Sequence, residues 1–168
     1  MQHFRVKIFA ETGPGFELHH AIAVFHRWIQ QKALPEMLID VADYQHVPAG
    51  PGILLVGHDS HYSFDRSKHR LGLLYTRRTT LNGSTSDRIR QAWEAAIHAC
   101  RKLESEPEFQ GKLRFLLNAC EVSVNDRALA PNTDETFRAL EPDLRAVFGE
   151  RTLERTGEPR ELFTVTVR

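Results

Sequence analysis

The chain has 168 residues, 41% apolar and 26% charged, values ordinary for a globular domain. A chain of this length buries about 68–70% of the surface its unfolded form exposes, so its core needs neither disulfides nor a structural metal. Lys plus Arg and Asp plus Glu number 22 each, and this neutral balance lacks the basic excess usual in nucleic-acid binders.

The alternation of Phe4, Val6 and Ile8 predicts a first strand over about residues 3–10. "ETGPGFELHH" (11–20) follows. Its Gly13 and Gly15 raise the question of a phosphate cradle, but the loop lacks the GK[ST] ending of a Walker loop and the third glycine of a dinucleotide fingerprint. Pro14 removes an amide, and Glu11 and Glu17 repel an anion, so a plain strand-to-helix turn is expected. A helix over about 17–33 then carries Leu18, Ala21, Ile22, Phe25, Trp28 and Ile29 on one stripe, and Pro35 is expected to stop it. His19 and His20, adjacent on such a helix, point about 100° apart and are not expected to share a metal.

"MLIDVADY" (37–44) predicts a strand, and the apolar "ILLVGH" (53–58) predicts a central strand covered on both faces. "HYSFD" and "RLGLLYTRR" suggest a hairpin closed around "DRSKH". A second helix over about 86–104 aligns Ile89, Trp93, Ala96, Ile97, Cys100 and Leu103, with Ser86 as the expected cap. "LRFLLNACEVSV" (113–124) is a long strand. "APNTDETF" opens a third helical region with Asn132 and Glu135 spaced as a capping box, Phe137 and Leu140 on its apolar side, and an expected break at Pro142. "ELFTVTVR" (161–168) is a C-terminal strand.

This order predicts an α+β fold in a single domain over residues 1–168: a mostly antiparallel sheet with three helices packed on it, ferredoxin-like βαββαβ with additional strands and a C-terminal αβ extension. Cys100 and Cys120 form no CxxC pair and are expected as buried, inert thiols. With no apolar leader-like run and no 18-residue apolar stretch, a cytoplasmic protein without membrane partners is expected.

Two constellations stand out. His58, Asp59 and His61 lie where a buried strand leaves the sheet, and a turn at Asp59–Ser60 would let the imidazoles converge as metal ligands with Asp59. A divalent metal is therefore the candidate cofactor; the plainer alternative is a polar turn. Arg77 and Arg78, with Ser84 and Ser86 at the start of the second helix, are the candidate ligand-binding residues for a small anion; plain helix capping explains the same serines. The expected function is a non-catalytic domain that binds a small ligand or self-associates as a homo-oligomer. The alternative is a His/Asp-based, metal-dependent enzyme acting on a small anionic substrate. No nucleic-acid partner is expected.

Overall fold

The structure, a computed structural model, describes residues 1–48 and 50–168. The chain runs β1 (Phe4–Thr12), α1 (His20–Gln31), β2 (Leu38–Tyr44), β3 (Gly52–Gly57), β4 (Ser60–Asp65), a 3-10 turn (Ser67–His69) and β5 (Gly72–Arg77). It continues through α2 (Thr85–Ser105), β6 (Leu113–Val124), α3 (Asp134–Phe148), β7 (Leu153–Thr156) and β8 (Thr164–Val167). The eight strands form one sheet in the order β2-β3-β4-β5-β1-β6-β8-β7, and every neighbouring pair is antiparallel. The fold is thus α+β, with three helices and an antiparallel sheet. The ferredoxin-like topology is not confirmed, because the strand order differs: β2 to β5 pair consecutively as a meander, and β8 comes between β6 and β7.

The period of two along each strand sorts side chains onto two faces. Val6, Ile8, Leu55, Tyr62, Phe64, Leu73, Tyr75, Cys120, Val122, Val165 and Val167 belong to the buried core. α1 packs on β2, α2 crosses β1, β5 and β6, and α3 leans on α2. Phe25 is fully buried; Trp93 and Phe137 are partly buried against the core, Trp93 packing on Phe148 at 5.4 Å. The other face presents Arg5, Lys7, Ser63, Leu74, Glu121, Ser123, Thr164 and Thr166 at the intervening positions. None of the helices is long and apolar enough to cross a membrane among the described residues.

Several expected details change. α1 begins at His20 rather than residue 17 and ends at Lys32, whose left-handed backbone (φ 52°) lets its N–H reach Ile29 O; the stop therefore precedes Pro35. β3 is second from the sheet edge, so Ile53 and Leu55 are buried but Leu54 and Val56 are only half-buried. α2 is capped by Ser84, not Ser86, through a reciprocal capping box with Asp87. α3 is capped by Thr133, while Asn132 donates instead to Thr156 O and Glu158 O. α3 also runs through Pro142 without a break, because Leu140, Leu144 and Phe148 continue one buried stripe across it. The Gly13–Gly15 loop is a turn: the Gly13 N–H donates to Lys112 O, and Gly15 takes a positive φ of 79° that only glycine adopts freely.

Candidate functional site

A candidate cleft forms where the β3–β4 hairpin, the end of β5 and one face of α2 meet. Its organiser is Glu36, in the short connector from α1 into β2. Gly57 has no side chain, and a methyl group there would collide with the Glu36 carboxylate, so glycine allows the close approach. Glu36 Oε2 accepts the N–H groups of Asp59 (3.1 Å) and Ser60 (3.0 Å). Its Oε1 accepts the Tyr62 hydroxyl (2.9 Å) and the Ser60 hydroxyl. One carboxylate thus clasps the two-residue turn His58–Asp59 and the first residues of β4.

The turn in turn fixes Asp59. Its Oδ1 accepts the Thr79 hydroxyl at 2.9 Å, and its carbonyl accepts the N–H of Arg78 at 2.9 Å. The Thr79 hydrogen bond, helped by His58 and by the nearby Arg77 charge, holds the Asp59 carboxyl below its usual range. Arg77 Nη2 lies 3.9 Å from Asp59, and its Nε donates to Thr79 O at 3.2 Å. Burial, reinforced by the Glu36 carboxylate, pushes the Tyr62 phenol far upward, so it stays protonated. From α2, Gln91, Glu94, Ala95 and His98 complete a cleft of about 440 Å³. Glu94 and His98 stand exposed at its mouth, one helical turn apart.

His58, Asp59 and His61 do not gather. His58 Nδ1 lies 3.3 Å from Asp59 Oδ1, but alternation along β4 sends His61 to the face opposite Tyr62. There Arg78 Nη1 donates to His61 Nε2 at 3.0 Å, and burial, with the Arg78 charge, lowers the imidazole's pKa. The trio therefore offers no common point for an ion. Among the described residues, the group whose ligand atoms lie within 4.8 Å of one another is Glu17, His19 and His20. His19 and His20 come together against expectation: His19, the N-cap residue of α1, keeps helical backbone angles, but both imidazoles reach the Glu17 carboxylate, each Nε2 3.5 Å from Oε2, with ring centroids 4.5 Å apart.

Arg77, Arg78, Ser84 and Ser86 also part company. Arg77 faces the cleft and Arg78 the opposite side of the sheet. The helix N-terminus is already filled by the chain's own carboxylates: the Ser84 N–H donates to Asp87 Oδ2 at 2.9 Å, and the Ser86 N–H to Asp143 Oδ1 at 3.1 Å. These amides cannot serve a free anion. Glu36, Tyr62, Glu94 and His98 carried no motif; Glu36 acts across 23–26 residues of sequence, a separation no local pattern reveals. No protein-family model matches the chain, and no curated protein matches it either.

Proposed function

We propose that this chain is a non-catalytic small-ligand-binding protein and that the cleft beside Arg77 is its site. The supporting observation is convergence: Asp59, Tyr62, Arg77, Glu94 and His98 line one concave space of about 440 Å³, within the usual range for small-molecule sites. The charges favour a different ligand from the simple anion expected of Arg77. Glu36, Asp59 and Glu94 set three carboxylates against one guanidinium. A small molecule carrying an amine, with an acceptor group for Arg77, suits this balance better than a bare anion. Ligand-observed NMR with ethylamine and glycine tests it. Both should bind, and Glu94→Gln should weaken both. Neither one binding, or binding that Glu94→Gln leaves unchanged, refutes the assignment.

The cytoplasmic setting belongs to the same reading, supported by two buried cysteines that remain unpaired. Self-association has its own support. β2 is an edge strand, and Ile39 and Tyr44 on it, with Met37 just before it and Val47 in the turn after it, expose large apolar side chains. A second copy of the chain is the proposed occupant. Light scattering should show a dimer that Ile39→Lys converts to monomer; a monomeric wild type at high concentration rejects this part. An enzyme reading would draw on Asp59 and His98 rather than His61. It ranks second because no hydroxyl or thiol nucleophile is hydrogen-bonded to a cleft imidazole among the described residues.

A further inference from the structure

The sheet face away from the helices carries a second cleft of about 330 Å³. Its floor follows from register: Lys7 pairs with Leu74 and Glu121, Arg5 with Ser123, and Ser123 with Thr164, so these side chains rise side by side. Its rim is the turn at Ser67–His69 and the segment before β8, tied together by Lys68 Nζ and Glu161 Oε2 at 3.6 Å.

The cations under this rim differ in occupation. Lys7 is buried and fully engaged, donating to Asp65 Oδ2 (2.5 Å), Arg70 O (2.7 Å) and both oxygens of Ser67 (3.3 Å each). Arg5 makes no side-chain hydrogen bond among the described residues, and its Nε is closed off from solvent without a partner. Burial lowers its pKa, and the Asp65 and Glu121 charges oppose this. Arg5 is half-buried: its Nε is the N–H left without an acceptor, which is unfavourable, and its terminal N–H groups have no protein acceptor among the described residues and remain open to the cleft. Arg127, exposed at the margin, has no ion-pair partner within 4.0 Å among the described residues. Four cations line the cleft against three carboxylates, and Asp65 and Glu161 are already committed to Lys7 and Lys68.

We infer that this cleft binds a small oxyanion, a carboxylate or phosphate carried by a small molecule, gripped by the Arg5 guanidinium and covered by Arg127. The Ser123 hydroxyl, which donates to Thr164 Oγ1 at 3.0 Å while the Thr164 hydroxyl donates to Leu162 O at 3.1 Å, stands beside Arg5 and can turn to supply a further donor. The volume, at the low end for ligand sites, limits the occupant to a small acid. The ligand would give Arg5 the bidentate acceptor it lacks.

The test is thermal unfolding with inorganic phosphate or with acetate, chloride being adjusted to keep ionic strength constant. At saturation at least one anion should raise Tm by about 3 °C or more. Response to phosphate alone assigns a phosphate ligand, response to acetate alone a carboxylate, and response to both the shared oxyanion chemistry. Arg5→Met should weaken binding at least tenfold, and Arg127→Met severalfold. Should Arg5→Met not fold, Arg5→Lys keeps the charge but loses the fork, and severalfold weakening is expected. Glu94→Gln, in the other cleft, should change nothing here. Neither anion moving Tm, or an Arg5 variant binding like wild type, overturns the inference.

Discussion

Replacing Glu36 with alanine should be the most damaging single change at the cleft beside Arg77. Its carboxylate serves four donors, yet they differ in what happens afterwards. The Tyr62 hydroxyl and the Asp59 N–H border the cleft, so water can replace the carboxylate there. Ser60 is 0% exposed, and its N–H and hydroxyl would be left buried without an acceptor. At about 1–3 kcal/mol for each of these two unsatisfied buried donors, the loss should be about 2–6 kcal/mol. For a chain of this size 3 kcal/mol corresponds to a Tm lower by about 6–12 °C. Urea unfolding followed by circular dichroism gives the value. Gly57→Ala should point the same way, because the added methyl collides with the same carboxylate. A loss below about 0.5 kcal/mol in Glu36→Ala would mean that the hairpin does not depend on this clasp, and the account of how Asp59 and Tyr62 are positioned would fall.

Three further outcomes are expected. Arg27 grips Glu108 with two hydrogen bonds (2.9 and 2.8 Å), which hold the Glu108 carboxyl down at about 2 against an ordinary 4.5. A depressed carboxylate stabilises fully above about pH 4.5 and loses that stability as pH falls toward 2. Solvent screening limits the gain to about 1 kcal/mol or less, so Arg27→Gln should flatten acid unfolding over that window, and an unchanged curve refutes the pairing. Burial raises both cysteine thiols, Cys120 to about 12, so Ellman's reagent should label neither in the native protein and both in guanidinium; native labelling contradicts the packing. Glu17, His19 and His20 should bind zinc only weakly. Metal on Nε2 of His20 forces its proton onto Nδ1, which is buried without an acceptor, and this weakens binding about tenfold or more. Calorimetry showing submicromolar zinc affinity that His20→Ala abolishes would refute this.

What could be read from the residue order was whatever repeats locally. The bounds of β6 coincide with the expected 113–124, and α2 extends one residue beyond expectation at each end. β7 escaped because "LERT" has no apolar alternation and is a strand only through its pairing with β8. The caps of α2 and α3 were misplaced by one or two residues because Ser84, Ser86, Asn132 and Thr133 are all competent caps, and tertiary partners decide among them. The sites were harder still. Arg77 was legible as a cation leaving a strand, but whether it shared a face with Arg78 or with Asp59 depended on alternation within the sheet. Arg5 and Lys7 alternate with Phe4, Val6 and Ile8, the pattern of an ordinary solvent face. Only the turn after β4 and the segment before β8, folding over that face, turn it into a cleft.

That folding over has a functional consequence. β4 and β5 serve both clefts with alternate residues: Tyr62 and Arg77 face one, Asp65 and Leu74 the other. The charge balance reverses between them, three carboxylates to one guanidinium on the helix side and four cations to three carboxylates on the far side. A two-stranded ribbon thus separates an amine-favouring space from an anion-favouring one by the thickness of a single sheet. Ligands of opposite charge should sort between them rather than compete. Because side chains at i and i+1 on a strand cannot share a face, a substitution that disables one cleft leaves the other's contacting groups in place. Binding of an amine and of an oxyanion should therefore be separable by Glu94→Gln on one side and an Arg5 variant on the other. Loss of both in either variant would mean that the two faces are not independent and that β4 and β5 shift as a unit.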